Sequence, residues 1–300
     1  MERARTRVAN CVWCGSPLDG SAVRLRGRTR CGACGAATTD PWPSEEQLQE
    51  AYASWYRPES GRFAFIGNPL LRRTRALLAG RLDRIAPPGP VLDVGAGEAV
   101  LIDGLRRRGR EAVGLERNSR HKDVRDDPLE RVEGDWAAVV FWHSLEHLPD
   151  PGGAIRETAR LLRPGGIAVI AVPNADSLQA RLFGDRWLHL DPPLHLVHLS
   201  EAALRSRLGA CGFRVERVSH VRAGQIVIGW LDGLVGILPG HPSLYQALRR
   251  PQARSGNLSA GRRAAALAAG LLLLPLAAAA AALEVALRRS GTVYVEARRG

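Results

Sequence analysis

Lysine is almost missing from this chain. Lys122 stands alone, although Lys and Arg together number 42 against 30 acidic residues and leave a net charge of +12. The positive charge is therefore arginine scattered through an alanine-rich chain, which reads as compositional bias on a solvated basic surface and not as a nucleic-acid-binding run. An anionic lipid or an acidic substrate stays open as a partner. An apolar leader is missing too: Met1 to Asn10 is charged, so the expected location is cytoplasmic. Cysteine is scarce, five in all, and without a secretory leader disulfides are not expected. What is present is enough apolar residue, 45%, for a substantial core in one large domain or two small ones.

Four of the cysteines fall in two close pairs, Cys11-Val-Trp-Cys14 and Cys31-Gly-Ala-Cys34. Such pairs, joined by a short Gly- and Arg-rich hairpin, bring four thiolates to one tetrahedral Zn2+. All four ligands come from protein, so the ion is read as structural, holding together a ribbon over residues 1–40 too short to fold on its own core. Cys211 is alone in an apolar setting and is expected to be a plain buried cysteine. Asp40-Pro-Trp-Pro-Ser44 follows as a stiff linker, and Ser44 with Glu46 and Gln47 nearby reads as a helix start. Residues 41–90 then carry two helices. Leu48, Tyr52, Trp55 and Tyr56 form a stripe on the first, read as core packing, with a lid over a ligand as the alternative. The second runs from Pro69 to Ile85.

Val91-Leu-Asp-Val94 running into Gly95-Ala-Gly97 is a strand, a tight turn and a helix start. Glycines there let backbone approach a ligand beside the unpaired N–H groups of a helix N-terminus. Glu116 ends the next strand, about twenty residues after the turn, where a doubly wound fold places a carboxylate on ribose hydroxyls. Strands are expected over Trp136 to Trp142 and Ile167 to Val172, with a helix between them beginning at Asp150-Pro151. A helix from Ser200 and a strand from Gly212 to Val218 follow. By these signals alone a nicotinamide-dependent oxidoreductase and a cofactor-binding module without turnover both stand beside a transferase.

The motifs DVGAG, HSLEHLPDP and LLRPGGIAVIAVPN, with the acid at Glu116, together resemble a class I S-adenosylmethionine-dependent methyltransferase of the ubiquinone-methyltransferase-like group, over about Val91 to Val218. The ribbon, DPWPSEEQLQEAY and RWLHLDPPLHLVHLSEAALRSRLGACGFRV resemble a bacterial subfamily that fuses a zinc ribbon to this domain. The resemblance implies an α/β, doubly wound, mostly parallel seven-stranded Rossmann-like sheet. It implies that Asp93, Gly95, Ala96 and Gly97 surround the methionine part of S-adenosylmethionine and that Glu116 takes the ribose. Asp126 or Asp127 would meet the adenine edge, and Phe141, Trp142 and His143 would form the floor beneath the sulfonium. His143 and His147 are the candidate bases; a metal site from His189, His195 and His198 is the less favoured use of the later histidines. Two departures stand out: the family's third glycine is Ala99 here, and the stretch after Glu116 is shorter by about one helix.

The methyltransferase domain is expected over 91–222, an apolar helical insertion over 223–289 and the last strand of the sheet over 290–300. Gln225 to Pro239 is apolar apart from Asp232, and Ala264 to Leu283 is an uncharged run, with arginines on both sides, of a length that spans a bilayer. The strand beginning at Gly291 must return to the sheet, which excludes a single clean crossing. Two crossings, a re-entrant hairpin, interfacial helices and burial against protein all remain, so 225–239 and 264–283 are the candidate membrane or lipid contacts. The methyl acceptor and the oligomeric state are left open by the sequence.

Overall fold

The computed structural model describes residues 7–54, 67–117, 119, 121–221, 223–240, 242–249 and 258–300. In chain order it builds β1 (Val23–Leu25), β2 (Arg28–Arg30), β3 (Ala37–Thr39), α1 (Glu45–Ser54), α2 (Gly67–Ile85), β4 (Val91–Val94), α3 (Val100–Arg106), β5 (Ala112–Leu115) and β6 (Val124–Arg125). Then come β7 (Trp136–Trp142), α4 (Pro151–Leu161), β8 (Leu162–Pro173), α5 (Leu178–Phe183), β9 (Val197–His198), α6 (Glu201–Ala210) and β10 (Phe213–Ser219). The chain closes with α7 (Ala223–Gly236), α8 (Leu244–Leu248), α9 (Ala260–Ala286) and β11 (Thr292–Arg299).

The near-continuous apolar runs of β4, β7 and β8 are what a parallel sheet covered on both faces requires. They form the middle of a seven-stranded sheet of order β10-β11-β8-β7-β4-β5-β6, in which only β10 and β11 run antiparallel to their neighbours. One apolar layer lies under α4 and α6, built on Phe141, Leu145, Ile155 and Leu204; the other lies under α2 and α3, built on Leu82, Leu101, Ile102 and Val140. The missing helix after Glu116 leaves its strand behind as the two-residue β6, paired on the sheet edge by Gly114 and Leu115. Ser44 caps α1 reciprocally with Gln47, each side chain bonding the other's backbone N–H. Leu48 and Tyr52 are half-buried; Trp55 and Tyr56, the rest of the stripe, lie outside the described residues.

The ribbon is continuous with the sheet domain. Its three strands are extended by β9, from the chain that follows α5, with Ala37 opposite His198 and Thr38 opposite Val197. Trp13 is 1% exposed and donates from Nε1 to the Ala203 carbonyl at 3.1 Å, while a side chain on Gly152 would collide with the Trp13 carbonyl. Cys211 differs from expectation: it is only partly buried, at the end of α6.

The insertion is stitched in as well. Glu284 on α9 is fully buried and accepts from the Gln179 backbone N and Nε2 and from Trp230 Nε1, each at 2.9 Å, and from Gly291 N at 3.3 Å. One carboxylate thus joins α5, α7, α9 and the entry to β11. Truncating it leaves several buried donors unmet, each costing about 1–3 kcal/mol. Glu284→Ala is therefore expected to lower the thermal midpoint by at least about 6 °C. Calorimetry against the parent checks this, and an unchanged midpoint would show the network to be dispensable.

Candidate active site

The β4–α3 turn is shaped by backbone that only small residues tolerate. Gly95 has φ +81°, and a Cβ there would lie 2.4 Å from that of Ser144, whose hydroxyl donates to the Val94 carbonyl. Gly97 has φ 58° and Ala99, at the N-cap of α3, φ 56°. The third position is thus left-handed too, which explains why glycine suits it; alanine costs about 1–2 kcal/mol there. The Ala99 methyl is fully buried in the layer beneath α2 and α3, which offsets part of that cost.

Asp93 ends β4 with only 4% of its surface exposed. Burial raises its carboxyl to about 6; the charge of Arg75 opposes the rise and that of Glu116 adds to it. Glu116 reaches back from the end of β5 and accepts from Gly97 N at 2.9 Å. Asp93, Gly95, Ala96, Gly97 and Glu116 are thus brought to one place at the carboxyl edge of the sheet, where doubly wound folds hold ligands. Asp126 and Asp127 are exposed beyond β6. The Phe141 side chain is fully buried in the core, so only its backbone faces the ligand side. Arg75 on α2 lies over the Trp142 ring, 4.8 Å from its centroid. No motif marks Arg75; a basic residue on an amphipathic helix gives no sequence signal of this role.

Beyond β7 the loop turns sharply, with His143 at φ 53°. His143 Nδ1 lies 3.3 Å from Glu146 Oε1, and Nε2 meets the Gln225 amide of α7, Oε1 at 3.2 Å and Nε2 at 3.0 Å. Gln225 was read only as part of an apolar run, so its part here was missed. His147 is turned the other way: burial, then the charge of His195, pulls it down to about 4, and its Nδ1 lies 2.9 Å from the Leu194 carbonyl. The histidines of the 186–200 segment do not gather as a trio. His189 stacks over His143 with centroids 6.5 Å apart, His198 sits against Thr39 of the ribbon, and His195 approaches Glu146 and His147.

At the ribbon, Cys11 Sγ lies 3.6 Å from Cys34 Sγ and Cys14 Sγ 3.7 Å from Cys31 Sγ, with all four within 4.8 Å of one another. Tetrahedral zinc with bonds of about 2.3 Å sets its sulfurs roughly 3.8 Å apart. The donor set and spacing therefore fit that ion.

Residues 68–218 match the profile of a family described as a methyltransferase domain. Among curated proteins the chain is similar to a ubiquinone biosynthesis O-methyltransferase of Alkalilimnicola ehrlichii, 31% identical over 102 residues, covering 28% of this chain and 41% of that protein. The protein of the same name from Xanthomonas campestris pv. campestris is 29% identical over 155 residues, covering 42% of this chain and 65% of its own length. The match thus spans between two fifths and two thirds of these relatives. Among solved structures, a SAM-dependent methyltransferase from Archaeoglobus fulgidus aligns over 78% of this chain and 100% of its own at a TM-score of 0.44 and 17% identity.

Proposed function

The chain belongs to the class I S-adenosylmethionine-dependent methyltransferases, and from that premise we propose that it methylates a hydroxyl group on a lipid-linked or envelope-glycan acceptor presented at a membrane surface. The observation that carries the reading is the joining of the cofactor-side turn and His143 to the apolar insertion, through the contact of His143 with Gln225 on α7.

Bound S-adenosylmethionine supplies an electrophilic methyl group. In this reading Asp93 holds the cationic methionine end, Gly95, Ala96 and Gly97 admit it closely, and Glu116 takes the ribose hydroxyls. Asp126 or Asp127 meets the adenine edge, and Phe141, Trp142 and the His143 backbone lie beneath the sulfonium. Displacement at a methyl group asks the protein mainly for alignment and for exclusion of water. His143 would take the acceptor's proton at Nε2 when the cofactor gives up its methyl group. Gln225 orients its ring, and His147, buried and turned toward Leu194, positions the loop. An oxygen acceptor accords with the names of the curated relatives. The cysteine cluster holds a structural zinc ion.

The membrane part rests on α9. Its inner face packs through Ala266, Gly270, Ala277, Ala281 and Glu284, whereas Leu271, Leu272 and Leu276 are 73%, 81% and 55% exposed. Arg262 and Arg263 precede the uncharged run and Arg288 and Arg289 follow it. A helix tied down by Glu284 and followed by a strand of the sheet does not stand across a bilayer. The fourteen residues of α7 reach about 21 Å, short of the roughly 30 Å hydrocarbon core. Two crossings are accordingly set aside in favour of α9 lying in the interface plane, leucines inward and arginines on anionic headgroups.

Labelled methyl transfer into a lysate separated into lipid, glycan, protein and small-molecule pools tests the reading. Label is expected in the lipid or glycan pool, falling at least tenfold in a Leu271→Glu/Leu272→Glu variant whose cofactor affinity is unchanged. Label confined to the protein or small-molecule pool overturns it.

A further inference from the structure

The ribbon strand β2 is Arg28-Thr-Arg30. Side chains alternate along a strand, and Thr29 is turned to one face, where its hydroxyl donates to Asp40 Oδ2 at 2.7 Å. Arg28 and Arg30 therefore share the opposite face, their Cα atoms about 7 Å apart. That face borders a cleft of about 430 Å³, partly open to solvent, between the ribbon and the chain that follows β8. Among the described residues its lining includes Arg28, Arg30, Asp176, Trp187, Leu190 and His198.

The two guanidiniums are loosely answered. Arg28 Nη1 donates to the Arg26 carbonyl at 3.2 Å and lies 3.5 Å from Asp185 Oδ1; Arg30 Nε donates to the Gly35 carbonyl at 3.1 Å, and its Nη2 lies 3.5 Å from Asp176 Oδ1. A charge-assisted bond between such groups closes to about 2.7–2.9 Å, so neither carboxylate saturates its arginine. The carboxylate side chains are 47% and 42% exposed and Arg28 only 16%; pairs with so exposed a partner contribute little, and the acids swing into water more readily than Arg28 leaves the strand face. His198 adds no charge, because burial, then the charges of His195 and Arg28, pulls it down to about 3. Trp187 is the wall shared with the rest of the site. It packs in one apolar cluster with Trp230 of α7 and Ala277 of α9 and meets His189 edge to face at 5.5 Å, while His189 stacks over His143 at 6.5 Å. Two ring contacts thus connect the cleft to the carboxyl end of β7.

We propose that this cleft binds a phosphate or diphosphate ester, with Arg28 and Arg30 on its oxygens and Trp187 and Leu190 against its organic part. Two cations spaced along one strand face suit a group that presents oxygens in several directions, as a tetrahedral phosphate does; a carboxylate offers a single edge, which one guanidinium satisfies. That the ester belongs to the methyl acceptor rests on the acceptor reading above; the binding of phosphate does not. The ribbon then has a use beyond its own fold, since it supplies the cations that hold the acidic group of an extended acceptor at a distance from the cofactor-side turn.

Calorimetric titration of the full chain with inorganic pyrophosphate tests the site. Arg28→Gln and Arg30→Gln should each weaken binding at least about tenfold and change S-adenosylmethionine affinity less than about threefold. A damaged ribbon would also lose affinity, so the opposing variant decides: Asp176→Asn/Asp185→Asn removes the competing carboxylates and should tighten binding at least about threefold, a gain that no loss of folding imitates. A parent chain that does not bind pyrophosphate overturns the proposal. So does an affinity unmoved by the arginine variants, the mark of attachment elsewhere on the basic surface, and so does an asparagine pair that binds no tighter than the parent. Competition with phosphatidylcholine vesicles, with and without phosphatidic acid, separates the sources of phosphate: displacement of pyrophosphate by the acidic vesicles alone assigns the cleft to a membrane-anchored ester, and no displacement assigns it to a soluble one, the site being upheld in both cases. Pyrophosphate binding that follows the variants upholds the cleft even where no lipid or glycan pool accepts methyl; that failure would sink the acceptor reading alone.

Discussion

Asp93→Asn is expected to raise the dissociation constant for S-adenosylmethionine by at least about a hundredfold while leaving the unliganded protein more stable near neutral pH. Both effects come from one buried carboxylate. With 4% of its surface exposed and a pKa raised to about 6, Asp93 resists ionisation because burial removes its water and Glu116 adds a second negative charge, with Arg75 compensating only in part. An acid whose folded-state pKa lies above its unfolded value binds more protons folded than unfolded, so its contribution to stability falls as pH rises from about 4 to about 6. Above that window the charge costs about 3 kcal/mol, from the shift between 3.8 and about 6, and the amide does not carry it. A cation bound against the carboxylate recovers that cost, which makes the site selective for a ligand with a positive end. Losing one partner of a buried charged pair costs about 3–5 kcal/mol.

The same shift fixes the pH dependence of binding. Cofactor affinity should be steady above pH 7 and fall as the pH drops through about 6, by about tenfold per unit once Asp93 is mostly protonated. Calorimetric titration across this range, beside thermal scans of parent and Asp93→Asn, checks both signs. A variant that binds the cofactor as the parent does would show that the methionine end is held elsewhere.

How much of this was legible before the structure follows from the range of each interaction. The β4 turn, Glu116 and the β7 loop could be read because strand periodicity, glycine and acid spacing are local properties of the chain. The cluster of four cysteines was legible for the same reason. Arg75, Gln225 and the meeting of Glu146 with His195 were not, because each depends on segments far apart in sequence arriving at one edge of the sheet. His195 illustrates the gap: grouped with His189 and His198 by proximity along the chain, it turns instead toward the preceding loop, since its ring proton is taken by the His189 carbonyl and its backbone by Thr39. At the insertion, the twenty uncharged residues left crossings, interfacial helices and burial against protein all open; the inner face of α9 is alanine and glycine packed on α7 and α8, with the buried Glu284 closing it.

The ribbon carries the second large effect. A zinc ribbon ahead of a transferase reads as an appendage, and a merely appended module could lose its metal without disturbing the sheet domain. Here β9 has its strand partner in β3, Thr39 holds the His195 carbonyl, and Trp13 fills the surface of α6 through Ala203. Cys34→Ser removes one of the four thiols proposed to hold zinc, and a segment with so little core of its own would depend on such an ion to fold. The expected result is loss of hydrogen-exchange protection over residues 36–39 and 195–198 and a fall of at least tenfold in methyl transfer. Cofactor affinity should change by less than about threefold, because Asp93, Gly97 and Glu116 are held by β4, β5 and α3, which the ribbon strands do not pair with. Exchange measured by mass spectrometry together with calorimetry separates the two sides of the site. Retained protection at 195–198 would mean that β9 is held by its own loop, and equal loss at 91–97 would mean that the ribbon supports the whole fold and not the acceptor side alone.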